Sequence, residues 1–311
     1  MHDDRILLFL KSYIGDAVMT LPLAELLGTS YRSVSVMTSK LAYPVFWSPR
    51  YAFSYLALER SRSPWAVVQK ALAIRREGFS TAILVNRSFR TALVSRLAGI
   101  PRRIGHSGEG RDPLLSHTIP YAPNRFEAYC ALDLAKPLGL PVADELPSIY
   151  LTAEERAEGL AALAGATVGL QPGARFPAKQ LPLETTTSVA TDLQRRGYRL
   201  AFLGGPEEAE DARRVAESLP DPVVDLVGKT SIRQTIGALA GLRAMVGNDT
   251  GVMHLAAAAG CPVVQVFGPT PAEKWGHAYG RNQVLQAPEG KMERIEPRTV
   301  LAAALEVLEG A

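Results

Sequence analysis

The chain has 311 residues, of which 47% are hydrophobic and 21% are charged, and its formal net charge is +3. This length exceeds what one hydrophobic core usually serves, so two domains are expected. Residues 6–10 form an apolar run too short for a secretory signal, and residues 255–268 fall short of the roughly 20 residues of a membrane-spanning helix. Two isolated cysteines, Cys130 and Cys261, are predicted to be buried free thiols, which favours the cytoplasm.

Short apolar runs alternate with segments of helical periodicity, which predicts an α/β fold with parallel sheets. Strands are predicted at residues 6–10, 34–37, 82–85, 167–170, 199–203, 223–227, 244–247 and 262–267. The proline-punctuated stretch 137–147 interrupts the alternation, so we place the domain boundary there, with domains 1–146 and 147–311. We expect two Rossmann-like, doubly wound sheets that face each other across a cleft, with ligands at the carboxyl ends of the strands.

A first candidate site follows the first predicted strand, at residues 11–16. Gly15 permits a tight turn or a close approach to a ligand, and Asp16 falls in the first turn of the next helix. An acidic residue there is also favoured by the helix dipole alone, by about 0.3–1 kcal/mol. The residues by themselves therefore leave catalysis and helix stabilisation equally open, and the absence of GxGxxG argues against a dinucleotide site.

A second candidate site spans residues 247–260, where a strand end leads into a helix of small residues. Thr250 and Gly251 offer backbone N–H groups at the helix N-terminus, which suits a diphosphate. His254 lies one turn further along the same face and can donate a hydrogen bond to an anion. Asp249 would repel a phosphate, so we interpret it as an N-cap that supports the loop.

Two further candidates follow other predicted strands of the second half. Lys179, in the loop 171–182, is a mobile cation suited to a leaving phosphate, although solvent exposure is the ordinary explanation of a loop lysine. In the helix opening at 204–210, Glu207, Glu208 and Glu210 are alternative ribose ligands. The chain has no DxD, HExxH, GxSxG or P-loop motif, so metal anchoring of a diphosphate, serine hydrolysis and NTP phosphoryl transfer lack their usual signals.

The first half of the chain is basic. Residues 1–150 hold 18 Lys/Arg against 12 Asp/Glu, whereas residues 151–311 hold 16 against 19, and residues 61–111 alone contain ten basic and two acidic residues. A solvated face explains such an excess, and so does attraction of a phosphorylated substrate or an anionic membrane.

Taken together, these blocks resemble glycosyltransferase family nine, the bacterial ADP-heptose:lipopolysaccharide heptosyltransferases, and the second heptosyltransferases more than the first. The resemblance covers almost the whole chain. Its most specific segments are residues 12–16, 86–93, 98–105, 172–179 and 248–254. It implies the GT-B fold and a transfer that inverts the anomeric carbon without a metal or another cofactor.

The resemblance also implies roles for individual residues. Asp16 would be the general base, and Lys179 would hold the diphosphate and assist its departure. The implied ligands of an ADP-sugar donor are Gly15, Arg175, Lys179, Glu210, Thr230, Asp249, Thr250, Gly251 and His254. Arg90, Arg102 and Arg103 would contact a phosphorylated, lipid-linked oligosaccharide acceptor. Neither a metal nor a nucleic acid is expected as a partner. Peripheral contact with the anionic inner face of the inner membrane is expected.

Three alternatives stay open. The same fold could use another donor, such as a UDP-hexose, or another acceptor, and the short stretch 112–124 leaves the acceptor undecided. A non-catalytic nucleotide-binding protein that keeps the donor site without turnover is a second alternative, and the presence of both Gly15-Asp16 and Lys179 argues against it. A nicotinamide oxidoreductase is the weakest alternative because its glycine fingerprint is absent.

Overall fold

The computed structural model describes residues 2–57 and 63–310. The chain divides into two compact units, Met1–Pro147 and Ser148–Ala311, one residue from the boundary placed on the sequence. Each unit contains one six-stranded sheet in which every pair of neighbouring strands is parallel. The expected α/β class with two parallel sheets is therefore confirmed.

The N-terminal unit has a β3-β2-β1-β4-β5-β6 sheet. Its elements are β1 (His2–Phe9), α1 (Ile14–Met19), α2 (Leu21–Ser30), β2 (Tyr31–Thr38), β3 (Phe53–Ala57), α3 (Pro64–Arg76), β4 (Thr81–Leu84), α4 (Phe89–Leu97), β5 (Arg102–His106), β6 (His117–Ile119) and α5 (Glu127–Asp133).

The C-terminal unit repeats this topology, because its sheet has the order β12-β11-β10-β7-β8-β9. Its elements are α6 (Ala153–Ala162), β7 (Val168–Leu170), α7 (Leu183–Arg195), β8 (Leu200–Phe202), α8 (Ala209–Glu217), β9 (Val224–Asp225), α9 (Ile232–Ala240), β10 (Ala244–Asn248), α10 (Gly251–Ala258), β11 (Val263–Phe267), α11 (Ala272–Trp275), β12 (Gln283–Gln286) and α12 (Pro297–Glu309). Short 3-10 turns lie at Pro177–Lys179 and Pro206–Glu208.

Both sheets reverse their strand order at one place, between β1 and β4 in the first and between β7 and β10 in the second. At such a switch point the connections leave in opposite directions and open a crevice at the carboxyl ends of the strands, which is where open α/β sheets bind ligands. The loops after β1 and β4, and those after β7 and β10, are therefore the candidate binding loops.

The central strands are buried on both faces, as a parallel sheet covered by helices requires. Residues 6–10 are all 0–1% exposed, which explains why this strand is a continuous apolar run rather than an alternating one. All eight predicted strands are confirmed within a few residues. Both cysteines are buried free thiols, as expected. None of the helices described is long and apolar enough to cross a membrane.

Candidate active site

Asp16 lies just beyond β1, at the switch point of the N-terminal sheet. It occupies the first turn of α1, and its Oδ1 lies 2.8 Å from Lys11 Nζ. Lys11 Nζ is also 3.7 Å from Glu127 Oε1, and Tyr121 donates a hydrogen bond of 2.9 Å to the other oxygen of Glu127. Burial opposes the charge on Lys11, but Asp16 and Glu127 outweigh it and raise the pKa of Lys11 above its ordinary 10.5. A cation therefore stabilises the negative charge of the Asp16 carboxylate and fixes its position.

The loop between β1 and α1 is tied to the neighbouring strands by side chains. Thr38 Oγ1 donates to the carbonyl of Lys11 at 3.1 Å, Ser39 Oγ donates to that of Ser12 at 2.8 Å, and Asn86 Nδ2 donates to that of Leu10 at 3.2 Å. These three contacts come from the carboxyl ends of β2 and β4. They satisfy carbonyls that β1 leaves without sheet partners, and they hold the site loop in one conformation.

A pocket of about 900 Å³ opens beside this loop, entirely within the N-terminal unit. The ends of β1 and β3 and the helices α3 and α4 line it, mostly with apolar side chains. Lys11, Lys70 and Arg90 contribute three cations against the single carboxylate of Glu77, and Arg90 Nη2 donates to the carbonyl of Ser63 at 3.0 Å. The pocket thus combines an apolar wall with positive charge next to the loop that carries Asp16, as an anionic, partly apolar ligand requires.

The other two arginines predicted to bind an acceptor lie elsewhere. Arg102 begins β5 in register with Ile6, five residues before Lys11, or roughly 16 Å along the strand direction. Arg103 is buried, and its guanidinium donates to the carbonyls of Ile100, Pro101 and Leu114 at 2.5–2.9 Å. Arg102 and Arg103 therefore lie towards the amino-terminal ends of the strands, whereas Asp16 follows the carboxyl end of β1. The structure does not bring the two arginines to the candidate site.

In the C-terminal unit, Lys179 and Asp249 form the centre of a second candidate site. Lys179 Nζ lies 2.5 Å from Asp249 Oδ2, directly before the N-terminus of α10. Asn248 is fully buried and holds the loop that carries Lys179, because its amide donates to Gly173 O at 2.8 Å and accepts from Leu181 N at 2.9 Å. Asn248 thus connects the loop that carries Lys179 to the carboxyl end of β10.

The N-cap interpretation of Asp249 is wrong. Thr250 is the N-cap of α10, and the Asp249 carboxylate instead lies between Lys179 and His254, with 3.6 Å from its Oδ1 to His254 Nε2. Burial alone would raise the pKa of Asp249, but His254 and Lys179 outweigh it and lower the pKa to about 2. Lys179 and His254 therefore offset the charge that would repel a phosphate.

His254 is buried rather than presented to solvent. Its Nδ1 lies 2.9 Å from His277 Nε2, and His277 Nδ1 lies 2.8 Å from the hydroxyl of Tyr279. Burial and the neighbouring His254 lower the pKa of His277 well below 6.5, so His277 is neutral and has a ring nitrogen that can accept. His254 therefore contacts Asp249 and His277 within the protein, and its contact with a bound anion stays a prediction.

Among the three alternative carboxylates, the structure connects Glu208 to the helix N-terminus. Gln171 Nε2 lies 3.0 Å from both carboxyl oxygens of Glu208, and Gln171 Oε1 accepts from Thr250 Oγ1 at 2.7 Å. Glu210 is exposed and forms a bidentate pair with Arg213. Glu208, rather than Glu210, is therefore the carboxylate joined through Gln171 to the start of α10, while the binding of ribose by either of them stays a prediction.

The remaining donor residues are spread around this cluster. Gly251 is the first residue of α10, as predicted, and Gly15 lies beside Asp16 in the other unit. Arg175 is exposed on the loop that carries Lys179. Thr230 lies after β9, with its hydroxyl 2.7 Å from that of Thr235. The structure thus brings together five predicted donor residues, namely Lys179, Asp249, Thr250, Gly251 and His254.

Several residues of the two candidate sites were not predicted. Glu127 reaches Lys11 from a distant part of the chain and accepts from Tyr121, and His277 reaches His254 in the same way, so no local motif marks them. Gln171 had a usable signal, because it directly follows β7 at the switch point. Within residues 2–57 and 63–310, no three His, Cys, Asp or Glu side chains are grouped so that they could hold a metal ion.

The comparisons with known proteins agree with one another. The family model of glycosyltransferase family 9 (heptosyltransferase) matches residues 67–302. The chain is 30% identical over 240 residues to lipooligosaccharide heptosyltransferase 2 of Haemophilus influenzae, which covers 71% of this chain and 69% of that protein.

Two solved structures share the whole fold. Escherichia coli ADP-heptose lipopolysaccharide heptosyltransferase II superposes with a TM-score of 0.83 and 24% identity, covering 99% of this chain and 100% of that one. The E. coli heptosyltransferase WaaC, solved with ADP, gives a TM-score of 0.78 and 23% identity, covering 97% and 99%. These matches confirm the GT-B fold.

Proposed function

The chain belongs to glycosyltransferase family 9, the heptosyltransferase family, and from this membership we propose that it transfers a heptose from ADP-heptose to an inner-core acceptor of lipopolysaccharide. The observation that carries the proposal is that each sheet holds half of the required chemistry at its switch point. A fixed carboxylate follows β1, and an ammonium group adjoins a helix N-terminus after β10. The relatives' names support this class of donor and acceptor.

We propose Asp16 as the general base of a single displacement. As the acceptor oxygen bonds to the anomeric carbon, its proton passes to the carboxylate of Asp16, and the bond from that carbon to the phosphate oxygen breaks. One displacement inverts the anomeric carbon. Such proton transfer typically contributes about 10²- to 10⁴-fold to the rate. Lys11 suits this role, because after Asp16 is protonated it still has Glu127 as a counter-charge.

The electron pair of the broken bond stays on ADP, so the second candidate site must stabilise growing negative charge. Lys179 supplies a charged donor, and the N–H groups at the start of α10 supply the positive end of a helix dipole. We propose that these groups take the place of a divalent metal, since the sequence has no DxD motif.

The pocket beside the Asp16 loop is the proposed acceptor site. Its cations, Lys70 and Arg90, suit phosphate groups of the inner core, and its apolar wall suits a lipid-linked molecule. The proposed acceptor site retains Arg90 as a ligand. It does not include Arg102 and Arg103, which lie towards the amino-terminal ends of the strands.

The substitution Asp16→Asn tests the base. It preserves the shape of the side chain and removes the proton acceptor, so we expect kcat with ADP-heptose and an inner-core acceptor to fall by about 10²- to 10⁴-fold. The Kd for ADP, measured by calorimetry, should stay within about twofold because the proposed nucleotide ligands belong to the other unit. A variant with full activity would exclude Asp16 as the base while leaving the family unaffected.

The complementary substitution, Lys179→Met, should weaken the binding of ADP, which Asp16→Asn leaves unchanged. Loss of a charged hydrogen bond to phosphate typically costs about 1.5–3 kcal/mol, so ADP binding should weaken by about 10- to 100-fold. Lys136→Met is the matched control, because Lys136 is an exposed lysine of the other unit, paired with Asp133. Unchanged ADP affinity in Lys179→Met would place the diphosphate site elsewhere.

A further inference from the structure

Helix α3 presents an apolar stripe to solvent. Trp65, Val68 and Leu72 are 76%, 42% and 51% exposed, and their spacing places them on one face of the helix. On the other side of the helix, Ala71 and Ile74 are buried in the N-terminal core. The stripe extends about 10 Å along the helix axis, so it is continuous enough to bind a partner.

The surroundings of the stripe are basic. Helix α3 contains three cations, Lys70, Arg75 and Arg76, and no carboxylate. The adjacent helix α4, which packs against α3, adds Arg90 and Arg96 and also has no carboxylate. Glu77, which directly follows α3, is a carboxylate, and it pairs with Arg5 at 3.4 Å. Apolar side chains in a mainly cationic neighbourhood match one partner best, namely a surface of acyl chains beneath anionic headgroups. A tryptophan in the first turn suits the boundary between the two layers.

The inner side of the same helix lines the pocket proposed for the acceptor, through Val67, Lys70 and Ile74. The three stripe residues do not line it. One helix therefore has the pocket on one side and an apolar, solvent-facing stripe on another.

We propose that α3 docks on an anionic phospholipid bilayer through Trp65, Val68 and Leu72, with Arg75 and Arg76 at the headgroups. This deepens the proposed function and rests on it in one respect: a lipid-linked acceptor anchored in that bilayer would reach its pocket beside the docked helix. Docking itself requires no acceptor, so it can be measured separately.

The experiment is flotation of the full chain with vesicles of phosphatidylethanolamine and phosphatidylglycerol, compared with vesicles of phosphatidylcholine alone. We expect the anionic vesicles to bind at least tenfold more protein, and 0.5 M NaCl to reduce this binding. The triple variant Trp65→Ser/Val68→Ser/Leu72→Ser should lose at least tenfold in binding. Brominated acyl chains should quench the fluorescence of the wild type more than that of Trp65→Phe.

The matched control is Leu160→Ser, which removes a 60% exposed leucine from α6 of the other unit and should bind as the wild type does. Transfer from ADP-heptose to a lipid-free core oligosaccharide controls for folding, and the triple variant should retain it. Equal binding by the triple variant and the wild type would overturn the inference. So would loss of a wild-type dimer in that variant with vesicle binding unchanged, because the stripe would then be a protein interface.

The two proposals fail separately. A wild-type chain that binds anionic vesicles through the stripe but transfers no heptose supports the docking surface and contradicts the proposed function. A chain that transfers heptose to the lipid-free acceptor but does not bind vesicles supports the proposed function and contradicts the docking surface.

Discussion

The carboxyl group of Glu208 is buried next to the proposed donor site, where its partner is a neutral amide. Burial raises its pKa from 4.5 to about 7, although the hydrogen bonds from Gln171 oppose the rise. The unfolded chain releases this proton near pH 4.5 and the folded chain only near pH 7. Between these values the folded state binds the extra proton, so this group makes stability fall as pH rises.

The substitution Glu208→Gln tests this pH dependence. The pKa shift corresponds to a loss of about 3 kcal/mol in the free energy of unfolding. This loss is absent below pH 4.5 and complete above pH 7. We therefore expect the variant, relative to the wild type, to gain about 3 kcal/mol in free energy of unfolding between pH 5 and pH 8, measured with urea. Glu158→Gln is the control, because Glu158 is exposed on α6 and is not among the charges that act on Glu208, so this substitution should change stability equally at the two pH values. A difference for Glu208→Gln that is the same at both pH values would contradict the shift.

At the residue scale, motifs predicted the residues that follow strands but not the partners that orient them. Asp16, Lys179 and Thr250 could be selected because each lies in a short loop after a predicted strand. The groups that orient them come from other elements: Glu127 of α5 pairs with Lys11, the partner of Asp16, and Gln171 after β7 accepts from Thr250. Only the folded topology brings such residues together, which is also why Glu208 could not be chosen over Glu210.

At the element scale, α6 and α9 pack with their backbones in contact at two glycines. A Cβ added at Gly159 would lie 2.0 Å from the carbonyl carbon of Gly237, and one at Gly237 would lie 2.3 Å from the carbonyl oxygen of Glu155. The contact is reinforced by Arg233, whose guanidinium pairs with both carboxylate oxygens of Glu155. It fixes the helix that begins immediately after Thr230 and Ser231.

The substitution Gly159→Ala should therefore destabilise the protein even though alanine favours helices by about 1 kcal/mol over glycine. Forcing the two backbones apart typically costs more than this gain, so we expect a net loss of about 2 kcal/mol in the free energy of unfolding. Ala157→Gly, at an exposed position of the same helix, measures the propensity effect alone and should cost about 1 kcal/mol. A Gly159→Ala variant as stable as the wild type would disprove the backbone contact.

The strands that were predicted and those that were missed differ in burial. The predicted strands are mostly central, and their two covered faces select continuous apolar residues, as in residues 6–10. Three of the missed strands, β3, β6 and β12, are sheet edges, whose partly exposed residues have mixed composition. The fourth, β5, opens with Arg102 and Arg103, and its pattern is masked because backbone carbonyls accept from the buried Arg103 guanidinium.

At the scale of the whole molecule, the Rossmann topology occurs twice, in two units with separate cores. Alternation of strands and helices was enough to predict both sheets, because each βαβ unit has a sequence period of its own. The strand order was not predictable, since it depends on which edge each new strand joins. That order places one switch point in each unit, and with it one candidate site.

This division predicts where a nucleotide acts. ADP at 100 times its Kd should add about 2.7 kcal/mol to the stability of the unit that binds it. Hydrogen exchange should therefore slow in residues 171–181, 204–208 and 248–254, whereas residues 2–57 and 63–147 should exchange as before. UDP at the same concentration should protect less, and Lys179→Met should lose the ADP effect while keeping its baseline exchange. If ADP protected only the loop that carries Asp16, the nucleotide site would lie in the N-terminal unit. Equal protection by UDP would contradict an ADP-linked donor.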